Sequence, residues 1–360
     1  MSIEIDGSFE EGGGQILRIS VALAAIVGKS IKIHNIRVKR SRPGIMPQHE
    51  TAVRAVAELS QAVVKGLRLG STELEFNPKR IINGRFLFDV GTAASTSLVL
   101  QSLMPIMAFS DGSTWVEVHG GTNNPWAPPA DYLQEVLLPT LGRFGFKGSV
   151  ELVRRGFYPN GGGIVKAWAE PIKRLNSLNL TEFGEIRRIH GLSYSSKLPC
   201  HIVQRMSKSA NRTLMDAGFK EADIKVDCSQ PANERAAPSP GCGVILLAEL
   251  STGAILGSDS LGEIGKPAEK VGQEAADSLC KQLKTGAPVG KHLGDQLIPY
   301  MALARGRSEI KVEELTLHTL SCIHIVEVIL GANFEITGEK GRPTRIICDG
   351  IGLENASLPV

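Results

Sequence analysis

The feature that most constrains this chain is one order of elements that recurs three times. Ala52 to Leu59 reads as an amphipathic helix, followed past Gly66 by a short strand-like segment through Leu74 and Phe76. The order returns at Tyr132 to Phe144, with Gly142 as the break before Val150-Glu151-Leu152. It returns again from Ile325 to Phe334, where Gly331 stops the helix, Ile336 opens a strand, and Arg345-Ile346-Ile347 brings it back. Each time a helical period gives way near a glycine to the alternation of a β-hairpin. Three copies of an α/β unit predict a repeat-built domain with helices packed against sheets.

Between the second and third copies lies an extra block, Glu182 to Pro288. Its strand-like segments are Ile189–Tyr194, Ala222–Asp227 and Gly243–Glu249, and its helical ones Ile202–Ala217 and Ala268–Lys284. That is enough for a compact inserted α/β domain (182–288), leaving 1–181 and 289–360 as the repeat domain. None of the motifs below falls in the insert, so nucleotide binding is expected wholly in the repeats. No run reaches the ~18 apolar residues of a membrane span, and Met-Ser-Ile-Glu-Ile-Asp is no secretory leader. The six cysteines show no CxxC pair, which predicts reduced thiols in the cytoplasm and no zinc site.

A net charge of +3 does not announce nucleic acid, but the distribution is more telling. Arg37-Val38-Lys39-Arg40-Ser41-Arg42 is dense in cations, either a charge-protected edge strand or a phosphate-binding segment. Asp6 to Arg18 holds a glycine triplet ahead of an apolar run, a turn in one reading and a phosphate-cradling helix start in the other. Gly120 to Asp131, dense in glycine and proline, is a structural corner or a pocket wall. Gly156 to Gly163 reads first as a hairpin turn. Asp295-Gln296 opens an amphipathic helix, and His318 stands at a strand-to-helix junction with His324 six residues further on. By residue type alone, a lone histidine is more often structural than catalytic.

In sequence order, DGSFEEGGGQILR, RSRPGIMPQHETAVRA, GGTNNPWAPPADY, RRGFYPNGGG, HLGDQLIPYMALA and LHTLSCIHIVE resemble the RNA 3'-terminal phosphate cyclases. The resemblance implies three βαβαββ units, similar to the repeats of enolpyruvyl-transferases, plus a smaller inserted domain. It implies an ATP-dependent closure of an RNA 3'-phosphate into a 2',3'-cyclic phosphate through a histidine–AMP intermediate. RNA 3'-phosphate ends, ATP and a divalent ion (magnesium or manganese) are the partners it implies; a membrane is not among them, and a homo-oligomer is compatible with it.

Position by position, the resemblance makes His318 the nucleophile, because the sixteen residues to Phe334 match the family's spacing and the ten from His324 do not. His324 becomes a helix residue packed behind it. Glu11 is then the metal-associated acid, Arg18 and Arg40 phosphate ligands, and Arg42 and His49 contacts for RNA. Gln101 lies near the adenylate, Pro128, Pro129 and Asp131 line the nucleotide pocket, and Asp295 and Gln296 orient His318 and the ribose. His292 stands where better-known members have a stacking tyrosine. The same superfamily holds a branch without the nucleophilic histidine, acting as a ribosome-assembly factor; His318, Glu11 and Arg18 argue against it. An enolpyruvyl-transferase would need two domains of equal size. A pure RNA-binding protein would show stacking aromatics on a basic face, against 5% aromatic residues here.

Overall fold

A computed structural model describes residues 2–358 apart from 126, 231, 232 and 234; the Trp126 of the proline-rich loop thus lies outside the described residues. The first unit runs β1 (Ile3–Asp6), α1 (Gly14–Val27), β2 (Ile31–His34), α2 (Pro47–Leu59), β3 (Val63–Lys65) and β4 (Leu74–Asn77). The second runs β5 (Gly84–Asp89), α3 (Thr96–Ala108), β6 (Thr114–Gly120), then α4 (Ala130–Tyr132) and α5 (Leu138–Arg143) joined by a π-helical turn, then β7 (Lys147–Arg154) and β8 (Gly163–Glu170). The third opens with the two-residue β9 (Asn179–Leu180). A separate set intervenes: β10 (Ile186–Ser196), α6 (His201–Asp216), β11 (Asp223–Ser229), β12 (Gly241–Leu250), β13 (Ile255–Leu261) and α7 (Ala268–Lys284). The third unit then resumes with α8 (Lys291–Leu303), β14 (Arg305–Val312), α9 (Leu317–Leu330), β15 (Asn333–Thr337) and β16 (Thr344–Ile351).

Strand order proves the repeat. The three sheets read β1-β2-β4-β3, β5-β6-β8-β7 and β9-β14-β16-β15, one βαβαββ order three times over. In each, the first two strands are parallel and the rest antiparallel. Sheets present one face to the helices: along β6, Thr114, Val116 and Val118 are buried while Trp115 faces out. The helices from the three units fill the centre, and α1 and α3 are buried over most of their circumference. The fourth sheet, β11-β10-β12-β13, follows a different order and carries α6 and α7.

Three local readings need correction and one holds. The second helix runs through Gly142 to Arg143, and the chain turns instead at Gly145, whose φ of 91° suits glycine. The second glycine triplet is indeed a hairpin turn, between β7 and β8. Strand β13 was not legible, because Ile-Leu-Gly-Ser-Asp-Ser-Leu is rich in residues that favour turns. Cys200 and Cys228 form a disulfide, with Cα atoms 5.5 Å apart. Since β11 lies parallel to β10, it ends on the sheet edge where α6 begins, which closes a gap of 28 residues. That bridge removes the basis on which a reducing compartment was expected.

The inserted sheet is keyed to the second unit by a buried polar cluster. Arg155, after β7, donates from Nη1 and Nη2 to the two carboxylate oxygens of Asp131, each at 2.7 Å. Its guanidinium lies over the Tyr194 ring of β10, 3.6 Å from the centroid, and the Tyr194 hydroxyl accepts from Asn123 Nδ2 at 2.7 Å. Burial works against the Arg155 charge, but Asp131 outweighs it and holds the guanidinium above its ordinary range. Asp259 of β13 is pushed up to about 7, first by burial and then by the neighbouring Asp131.

Two outcomes test this junction. Arg155→Met leaves Asp131 buried without its cation and is expected to cost about 3–5 kcal/mol, read as a lower denaturant midpoint; an unchanged midpoint would show that the pair stabilises nothing. For Asp259 the folded state resists ionisation, so its cost is absent while the carboxyl is neutral in both states and complete above about pH 7. Asp259→Asn should therefore raise the melting temperature at pH 8, with the gain shrinking as pH falls towards 4. A gain that grows on acidification would contradict this.

Candidate active site

In each unit β-strand one feeds a helix that returns to a parallel strand two, which feeds the next helix. Parallel strands end on the same sheet edge, so both helices of a unit start on that edge. With the three units facing a common centre, the first turns of α1, α2, α3, α8 and α9 all reach one cleft of about 720 Å³, a volume ordinary for a small-molecule site. Helix starts carry unpaired N–H groups and the positive end of the helix dipole, so such a cleft favours anions. Helix α1 starts on Gly13 with no side-chain cap, which leaves its first N–H groups free.

Gly14 is required by packing. A Cβ there would stand 2.0 Å from His49 Nε2, so only glycine lets the starts of α1 and α2 meet. His49 is buried, 3% exposed, and its Nδ1 accepts from the Met46 backbone N–H at 3.2 Å. Burial, then Arg18 and Arg37, push its pKa down to about 2, so it is a neutral ring under the glycine turn. It lines the cleft as a buried side chain.

His318, the second residue of α9, projects into the cleft and is half-exposed. Its Nδ1 lies 2.6 Å from Gln15 Oε1, and Gln15 Nε2 donates in turn to Asp295 Oδ2 at 3.3 Å. An amide oxygen only accepts, so Nδ1 carries a proton, and the ring nitrogen left for attack is Nε2, which must shed any proton it donates to Glu11. That Nε2 is 3.0 Å from Glu11 Oε2, and Arg40 Nη2 pairs with the other Glu11 oxygen. His318 is shifted below its ordinary value by burial; Glu11 opposes this, while Arg18 and Arg40 add to it. Arg18 is buried, and burial lowers it to about 10 with Asp295 partly offsetting, which leaves it charged at neutral pH. Burial raises Asp295 to about 7 against the pull of Gln15 and Arg18.

The structure brings Glu11, Arg18, Arg40, His49, Gln101, Pro128, His292, Asp295, Gln296 and His318 onto this one cleft. It does not bring Pro129, Asp131 or Arg42 to its lining. Asp131 is consumed by Arg155, and Arg42 is exposed with its carbonyl accepting from Arg37 Nη1 at 2.9 Å. Three contributions went unread in the sequence. Gln15 follows the glycine triplet at once, a signal that its side chain starts α1 inside the cleft. Arg37, at φ 54°, folds the basic segment by also donating to the Gly44 carbonyl at 2.8 Å, and itself lines the cleft. From β13 and the turn after it, Asp259, Leu261 and Lys266 form part of the wall, so the inserted sheet is not separate from the site. His324 does not pack behind His318; it stacks on Phe9.

The cleft offers a divalent ion few protein donors. Among the described residues no cluster of three His, Cys, Asp or Glu side chains could hold one. Glu11 offers a single carboxylate, which fits an ion of magnesium type that arrives with nucleotide phosphates rather than one caged by protein.

Comparison with known proteins gives the family. The sequence profile of the family described as RNA 3'-terminal phosphate cyclase matches residues 9–336. A protein of that name from Pyrobaculum aerophilum is 46% identical over 352 residues, covering 98% of this chain and 99% of its own. One from Methanothermobacter thermautotrophicus is 47% identical over 345 residues, covering 96% and 99%. Among solved structures, the enolpyruvyl transferase NikO from Streptomyces tendae aligns over 98% of this chain and 48% of its own, at 12% identity and a TM-score of 0.38, too low to weigh on the fold. With the profile spanning nearly the whole chain and close relatives matched end to end, this chain belongs to the RNA 3'-terminal phosphate cyclase family.

Proposed function

We propose that this chain uses ATP to convert an RNA 3'-terminal phosphate into a 2',3'-cyclic phosphate, with AMP carried on His318. The observation that supports this most is the Asp295–Gln15–His318 chain, which holds a proton on Nδ1 and leaves Nε2 as the nitrogen to attack once it gives up its contact with Glu11, at the start of a helix in an anion-favouring cleft. His318 Nε2 attacks the α-phosphorus of ATP; the bond from that phosphorus to the bridging oxygen breaks and pyrophosphate leaves. The RNA 3'-phosphate then displaces histidine from the same phosphorus, forming a mixed anhydride with AMP. Attack by the adjacent ribose 2'-OH on the RNA phosphorus closes the ring, and AMP leaves with the bonding pair.

Residues of the chain act by holding charge and geometry. Gln15 keeps the Nδ1 proton in place through the first step. Arg18 and Arg40 face the triphosphate with fixed positive charge, and the open start of α1 adds N–H donors. An ion bound between Glu11 and the phosphates would offset their crowded charge. His292 and Pro128, on α8 and the loop before α4, line the same cleft as Gln101, Gln296 and Asp295, and these five would take the base. Residues 1–181 and 289–360 serve as the catalytic repeat domain and 182–288 as an inserted domain that closes one wall.

His318→Ala should abolish an acid-labile, alkali-stable label from α-labelled ATP. Gln15→Leu should retain the label but form it about 10- to 100-fold more slowly, as for loss of a partner that orients a reactive histidine. A label that survives in His318→Ala would sink the assignment. Arg18→Ala and Arg40→Ala should impair labelling itself. Arg42→Ala, outside the cleft, should label normally but weaken RNA binding and lower its log–log salt slope by about 1; equal salt slopes would make Arg42 a solvated residue only.

A further inference from the structure

The turn that carries Glu11 is held in an unfavourable backbone state. Glu10 sits at φ 46°, in the left-handed region, which costs a side-chain-bearing residue about 1–2 kcal/mol. Ser8 and the Phe9 N–H tie the start of the turn to Asp6, and Gly12 N–H closes it on the Phe9 carbonyl at 2.8 Å. Apart from Glu11 itself at His318, the turn meets the nucleophile's helix through Phe9, whose ring stacks on His324 with centroids 3.9 Å apart and planes 18° from parallel. Such a stack contributes about 0.5–1.5 kcal/mol, the same order as the strain at Glu10.

His324 and His318 lie on the same helix, six residues or about 9 Å apart along its axis. We propose that the Phe9–His324 stack is a positioning clamp: it references the Glu11 turn to helix α9, so that Glu11 stays within reach of His318 Nε2 and Arg40. The proposal rests on the reading of His318 as the nucleophile, and it assigns His324 a role distinct from the reaction itself. Phe9 and Glu11 are separated only by the strained Glu10, so a shift of the Phe9 ring moves Glu11 directly. The flat ring is what matters, so an aromatic replacement should serve and an aliphatic one should not.

The test compares Phe9→Ala, His324→Leu and His324→Phe with the unaltered chain, after confirming equal cooperative melts. Amide hydrogen exchange over residues 8–13 should speed up about 2- to 10-fold in the first two and stay near the original in His324→Phe, the change that loss of such a stack allows. At saturating ATP, the rate of His318 labelling should fall about tenfold in the first two, with the half-saturating ATP concentration unchanged, and recover in His324→Phe. Unchanged exchange and labelling in both disrupting variants would overturn the clamp. If the unaltered chain takes no label, the reading of His318 fails, while exchange alone still decides whether the stack holds the turn.

Discussion

The arrangement depends on one constraint, the parallel pairing of the first two strands in each unit. Parallel neighbours end on the same edge, so each unit delivers two helix starts to that edge. Three such units around one centre concentrate helix starts, and with them positive dipole ends, on a single cleft. The close approach this demands is visible at Gly14, where His49 leaves no room for any side chain. An anion site follows from topology before any charged residue is considered.

The charged residues then refine it. Each cation nearest His318 has a defined restraint: Arg40 is paired with Glu11, Arg37 is folded onto backbone carbonyls, and Arg18 is buried with Asp295 near enough to offset part of its desolvation. Buried and pre-placed donors of this kind need little reorganisation when charge develops. Glu11 is shared between Arg40 and His318, and it sits on a strained turn anchored through Phe9 to the nucleophile's own helix. The inserted sheet adds a wall through β13, and its seat on the second unit is the Asp131–Arg155–Tyr194 cluster.

Much of this was legible in the residues. The three-fold recurrence of helix, glycine and hairpin marked the repeat, since strong 3.6-residue and two-residue periods survive without identity between copies. Arg18 of α1 and the cleft residues of α8 and α9 were reached through the family resemblance, which rests on local motifs. What escaped notice was set by tertiary contact. Asp131 reads as a pocket residue until Arg155, from a distant hairpin, takes both its oxygens. His49 reads as an RNA contact of the basic segment, and its burial against Gly14 shows only in the fold. Strand β13 hides behind turn-forming residues, yet it is the part of the insert that reaches the cleft. Cys200 and Cys228 come together only through a parallel crossover that no local pattern reveals.

The most direct test of the account is a crystal structure of this chain with a non-hydrolysable ATP analogue. The α-phosphorus should lie in line with His318 Nε2, the triphosphate should run over the start of α1 between Arg18 and Arg40, and Gln15 should still accept from Nδ1. A nucleotide bound with its phosphates away from the helix starts, or with His318 turned out of the cleft, would contradict it.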